Sequence, residues 1–209
     1  FRRCPYAMRA RMALILSASQ CELREVLLKN KPEAMINISP KGTVPILDLH
    51  ERILEESLDI IEWAMNNDSS KLHDFSDQES ELSQYFIQLF DSQFKYHLDR
   101  YKYPNRYEGL SEDHQLECLK ILMEIEDCIE AKPWIFGETV SLLDVCILPF
   151  IRQCKIANPE WFQSQGCVNV IELLSYFESS QLFLNAMEKY AAWNPEDPQV
   201  NIFPKINIL

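Results

Sequence analysis

The sequence predicts a two-part fold: an α/β region over residues 1–67, a linker over 68–79 and an all-α helical bundle over 80–209. Three observations carry this prediction. Short helix-like and strand-like segments alternate through the first region. The polar stretch "NNDSSKLHDFSDQES" (66–80) shows no apolar period. Beyond it, apolar residues recur every three to four positions, the period of an amphipathic helix.

Residues 5–18 read as a helix, with Pro5 in the first turn where its missing N–H costs nothing. "CELREVLLK" (21–29) reads as a strand and "PEAMINI" (32–38) as a short helix. "VPILDL" (44–49) and "RILEE" (52–56), joined by a tight "HE" connection, pair as a hairpin. "SLDIIEWAM" (57–65) closes the region as a helix with Ser57 as its N-cap. In the second region one helical stripe runs from Leu82 through Phe86, Phe90, Phe94 and Leu98 to Tyr101, and another from Leu116 through Leu122 and Met123 to Ile129. A third helix covers roughly 141–156, with further segments near 168–179 and 181–191. In "SLLD" (141–144), Ser141 and Asp144 are spaced as a capping box with Asp in place of Glu or Gln. Pro149 lies inside that helix and should kink it.

The composition, 47% hydrophobic and 25% charged over 209 residues, belongs to a globular protein with a sizeable core. The apolar runs are too short and interrupted to span a bilayer. Seven cysteines, an odd number with no CxxC spacing, argue against a disulfide framework and for a reducing, cytoplasmic compartment. Cys118, Cys128, Cys146 and Cys154 sit on apolar helical faces, where a thiol acts as a small hydrophobe. Four scattered histidines give no metal-ligand spacing, so no metal is expected. The net charge is −12, yet residues 1–50 hold eight Lys and Arg against four Asp and Glu. The acidic body disfavours nucleic acid and anionic membrane as partners, while the basic end suits a small anionic ligand.

Three short motifs carry chemistry. In "FRRCPYAMRARM", Cys4 stands at the head of a helix, where unpaired backbone N–H groups and the positive end of the dipole favour a thiolate. The surrounding arginines add positive potential. In "SPKGTVPIL", Val44-Pro45 enters a strand, a place where a tight, sometimes cis, X-Pro bond leaves the Val44 backbone available to an extended peptide-like ligand; an edge-strand proline is the plainer alternative. In "EES" (55–57), Ser57 at a helix start suits a ligand carboxylate and Glu56 an ammonium, together the head of an amino acid. A solvated acidic turn is the plainer reading there.

Taken together, "CPYAMRARMALIL", "LLKNKPEAM", "KGTVPIL", "EESLDIIEW" and "SLLDVCILPFIRQ" resemble the glutathione transferase superfamily, most closely its cysteine-type branch of omega-like enzymes and bacterial relatives. The resemblance covers nearly the whole chain. It implies a thioredoxin-like N-terminal domain, an all-helical C-terminal domain and a homodimer. It also implies a first strand immediately before "FRRCPY", which is expected upstream of Phe1. By the same resemblance Cys4 is the catalytic thiol, and Val44, before a cis Pro45, pairs through its backbone with the cysteinyl part of glutathione. Glu56 and Ser57 hold the γ-glutamyl ammonium and carboxylate, and Lys31, with Lys29 as a lesser substitute, faces the glycyl carboxylate. Tyr6, Phe94, Tyr101 and Trp161 are candidates for the wall of a second-substrate site where the helical domain faces Cys4.

Ala7 occupies the position of a resolving cysteine in a dithiol active site, so a one-thiol mechanism is expected. The implied activity is a glutathione-dependent thiol transfer or dehydroascorbate-type reduction, with glutathione as co-substrate and a small disulfide or electrophile as partner. The alternatives are a glutathione-conjugating transferase and a non-catalytic binding protein that keeps the fold.

Overall fold

The computed structural model describes residues 1–66, 76–107, 113–129 and 133–205. The chain forms two compact units, Phe1–Lys71 with Ser179–Leu209, and Leu72–Glu178. The helical region expected over 80–209 ends instead at Glu178, and the last segment returns to the first unit. The cause is visible in the contacts made by that segment.

The first unit begins with α1 (Pro5–Leu16), followed by β1 (Cys21–Glu22), α2 (Glu33–Ile38), β2 (Leu47–Asp48), β3 (Ile53–Leu54) and α3 (Ser57–Met65). Every residue of α1 from Ala7 to Leu16 is buried, because the helix packs against both α3 and α10 (Gln181–Ala186). The expected hairpin is present, with Leu47 opposite Leu54 and Asp48 opposite Ile53. The strand expected over 21–29 is shorter. After Glu22 the chain turns to the C-terminal segment, and Leu27 and Asn30 close a turn bonded at 2.9 Å. β1 pairs antiparallel with β4 (Ile202–Phe203), Cys21 opposite Phe203.

A buried arginine extends this attachment, and a second ties α1 to α3. Arg11 Nη2 donates to Glu25 Oε2 at 2.5 Å and its Nη1 to the Ala186 carbonyl at 3.1 Å. The Glu25 carbonyl in turn accepts from the Trp193 N–H at 2.7 Å. Arg9, fully buried, packs over the Tyr6 ring and reaches α3.

The second unit holds α4 (Asp77–Leu89), α5 (Lys95–Lys102), α6 (His114–Glu126), α7 (Leu142–Ala157), α8 (Pro159–Ser164) and α9 (Val168–Ser179). The expected linker lies mostly outside the described residues. Its end is corrected: α4 starts at Asp77 behind a capping box in which Ser76 Oγ accepts from the Glu79 N–H and Glu79 Oε2 accepts from the Ser76 N–H. Between α4 and α5 a π-helical turn, Phe90–Phe94, inserts extra backbone, and the two phenylalanines stack with ring centroids 4.4 Å apart. On α6 the buried apolar positions are Cys118, Ile121, Leu122 and Ile125, while Leu116 and Met123 of the expected stripe are exposed.

α7 packs against α4, α5 and α8 and buries nearly all its faces. Its start matches the capping box expected from "SLLD": Asp144 Oδ2 accepts from the Ser141 N–H at 2.8 Å and Ser141 Oγ accepts from the Asp144 N–H at 3.2 Å. Asp144 Oδ1 accepts a further bond from the Ile135 N–H at 3.2 Å. Among the described residues no helix is long and apolar enough to cross a membrane.

Candidate active site

The site is built from the head of α1, the loop 39–45 and the start of α3, all in the first unit. Cys4 is the N-cap of α1, with extended backbone angles (φ −70°, ψ 127°) and no side-chain bond to its own helix. Its carbonyl accepts the first helical bond, from the Met8 N–H at 2.9 Å. Pro5 at the first helical position fixes φ for the turn and forfeits no bond. The sulfur is therefore free to face across the chain, where it lies 3.7 Å from the Val44 carbonyl oxygen. The Val44-Pro45 peptide bond is cis, as the motif suggested.

The loop that carries Val44 also reaches Lys31 and Glu56. Gly42 sits at φ +61°, in the left-handed region that favours glycine, and the Lys31 side chain folds over it. A Cβ at Gly42 would lie 3.3 Å from Lys31 Nζ and 3.0 Å from Ile36 Cδ1. Lys41 Nζ donates to Glu56 Oε1 at 3.0 Å and stands 3.9 Å from Glu55 Oε2. Ser39, fully buried, donates through Oγ to Glu55 Oε1. Lys31, Val44, Pro45, Glu56 and Cys4 are thus gathered around one loop.

Ser57 opens α3 but is not its N-cap, the place expected for it. The backbone leaves the extended region at Glu56, which is the N-cap, so Ser57 is the first helical residue and not the cap. The residue is only 3% exposed, and its Oγ accepts from Arg9 Nη1 at 3.4 Å. Arg9 was expected only to contribute background potential. Instead it ties the helix of Cys4 to the helix of Ser57. A cation inside the apolar run from Ala7 to Leu16 is the signal that marks it.

Ser39, Lys41 and Glu55 were not singled out by the sequence reading. Nothing in their spacing announces them, because loop geometry brings them together. Lys41's pKa is raised, first by its hydrogen bond to Glu56 and then by Glu55.

Of the residues proposed for a second-substrate wall, Phe94 is fully buried against Phe90 and belongs to the core of the second unit, with no surface left for a substrate. Tyr101 and Trp161, in the same unit, meet edge to face at 5.8 Å. Tyr101 Oη accepts from Gln115 Nε2 at 2.8 Å, and burial pushes its hydroxyl up to about 12. Tyr6 is half-buried beneath the Arg9 guanidinium in the first unit.

Among the described residues the cysteines form no disulfide, and no group of three or more His, Cys, Asp or Glu is placed to hold a metal ion. Cys118, Cys146 and Cys154 are fully buried. Cys21, the other thiol of the first unit, is pushed up by burial.

Residues 1–71 match the family described as "Glutathione S-transferase, N-terminal domain". Over 193 residues the chain is 26% identical to glutathione S-transferase L1 of Arabidopsis thaliana, covering 90% of this chain and 76% of that protein. It is 24% identical over 194 residues to glutathione S-transferase omega-1 of Rattus norvegicus, covering 90% and 74%. Among solved structures, glutathione transferase Omega 3C of Trametes versicolor superposes with a TM-score of 0.75 at 18% identity, covering 91% of this chain and 83% of that one.

Proposed function

We propose that this chain, whose first 71 residues match the glutathione S-transferase N-terminal family and whose relatives include an omega-class enzyme, is a glutathione-dependent thiol transferase that works through the single thiol of Cys4. The observation that most supports this reading is the 3.7 Å approach of Cys4 Sγ to the Val44 carbonyl. A peptide whose cysteinyl residue pairs with the Val44 backbone, as an added strand would, brings its own sulfur beside Cys4. The remaining groups fit the rest of glutathione. Glu56 takes the γ-glutamyl ammonium, the start of α3 at Ser57 takes the neighbouring carboxylate, and Lys31 takes the glycyl carboxylate.

The reaction proceeds in two exchanges. The Cys4 thiolate attacks the glutathione sulfur of a mixed disulfide, forming a Cys4–glutathione disulfide and releasing the other thiol as a thiolate that takes a proton from water. A second glutathione thiolate then attacks the glutathione sulfur of that intermediate, releasing glutathione disulfide and regenerating the Cys4 thiolate. In balance, one free glutathione thiolate and one mixed disulfide become one substrate thiolate and one glutathione disulfide. Ala7, in the place of a second cysteine, leaves the resolving step to glutathione. The protein acts in the cytoplasm as a homodimer in this reading.

The test is turnover with a glutathione mixed disulfide against turnover with an aryl chloride, for the wild type and Cys4→Ala. The reading expects mixed-disulfide activity in the wild type, lost in Cys4→Ala while glutathione affinity persists. Preferential conjugation of the aryl chloride, or retained turnover in Cys4→Ala, would overturn it.

A further inference from the structure

Glu56, assigned above to the ligand ammonium, already accepts a hydrogen bond from Lys41 Nζ at 3.0 Å. The same ammonium group stands 3.9 Å from Glu55 Oε2. The base of Lys41 is held in place. Gly42 follows it in a left-handed turn bonded back to the Ser39 carbonyl at 2.9 Å, and Ser39 is itself buried against Glu55. The tip is solvated: the Lys41 and Glu56 side chains are 55% and 68% exposed. A fixed backbone with a solvated side chain between two carboxylates is an arrangement that can exchange partners at small cost.

We propose that Lys41 is a specificity-determining latch on Glu56: it stands where a ligand ammonium would stand, and it moves to Glu55 when a ligand brings that ammonium. The inference rests on the glutathione reading of the site. Exchange of one cation for another on Glu56 preserves the local charge, and Glu55 keeps the displaced lysine paired. A ligand head with a carboxylate but no ammonium offers nothing to replace Lys41, so it gains nothing from Glu56. Ion pairs this exposed are weak, so the latch tunes affinity by about two- to fivefold and does not decide binding outright.

The test is calorimetric titration of wild type and Lys41→Met with S-methylglutathione, which cannot form a disulfide, and with its analogue lacking the α-ammonium. Removing the competitor should tighten S-methylglutathione by about two- to fivefold and leave the analogue unchanged. Unchanged or weaker binding of S-methylglutathione by Lys41→Met would overturn the latch, and so would an equal gain for both ligands. If the wild type and the variant both fail to bind S-methylglutathione, the glutathione reading falls and the latch with it. Binding by the wild type with no gain in the variant overturns the latch alone.

Discussion

The sulfur of Cys4 lies 3.7 Å from the carbonyl oxygen of Val44, forty residues away, and the two residues meet because the head of α1 and the cis loop face each other. This contact links the reactive group to a stretch of backbone able to align a peptide. The sulfur's chemistry then depends on how accurately a ligand is held, and the holding groups can be varied one at a time.

Ser57 is the first of these. Its buried hydroxyl accepts from Arg9, so the pair fixes the start of α3 against α1. Ser57→Ala removes a charge-assisted hydrogen bond, and the KM for glutathione should rise about tenfold with kcat little changed. Steady-state kinetics at saturating disulfide checks this. An unchanged KM would remove Ser57 from the ligand's surroundings.

Gly42→Ala tests the loop. A left-handed φ costs a residue with a Cβ about 1 kcal/mol, and the new methyl would press on Ile36 and on the tip of Lys31. Urea unfolding should show a loss of about 1–2 kcal/mol, and the KM for glutathione should rise as Lys31 is displaced. A loss of stability with an unaltered KM would mean that Lys31 does not face the ligand.

Asp144 concerns the second unit. Its carboxylate accepts from the Ser141 and Ile135 N–H groups, so Asp144→Ala strands buried donors and should cost roughly 2–4 kcal/mol. Burial pushes the carboxyl up to about 6, against hydrogen bonds that pull the other way. The folded chain therefore holds this proton more tightly than the unfolded chain does. The resulting stability is fully present below about pH 4 and is lost as the pH rises through about 6. In urea titrations the margin of wild type over Asp144→Asn should shrink by on the order of 3 kcal/mol between pH 4 and pH 7. A margin that stays level or grows would contradict the sign.

Features governed by neighbours in sequence were legible from the residues. The Ser141–Asp144 cap, the hairpin pairing Leu47 with Leu54 and the position of Cys4 at a helix head each follow from residue types within a few positions. The box formed by Ser76 and Glu79 carries the same signal, but inside a stretch whose polar composition otherwise marks a linker. Other features depend on contacts made across the chain. β4 is two residues long and has no period to detect; it exists because Cys21 and Glu22 offer it an edge. The π-helical turn that stacks Phe94 on Phe90 shifts the apolar stripe without changing the residues in it. Arg9 and Lys41 illustrate the limit at the site. Both are visible as charges, but only the fold gives Arg9 its serine and Lys41 its two carboxylates.

The central claim is that one sulfur carries the glutathionyl group. Wild-type protein incubated with a glutathione mixed disulfide, quenched in acid and digested, can be read by mass spectrometry for the position of the adduct among the seven cysteines. The account predicts a glutathionyl group on the peptide bearing Cys4, removed when free glutathione is added. An adduct on another cysteine, or turnover with no adduct on Cys4, would contradict it.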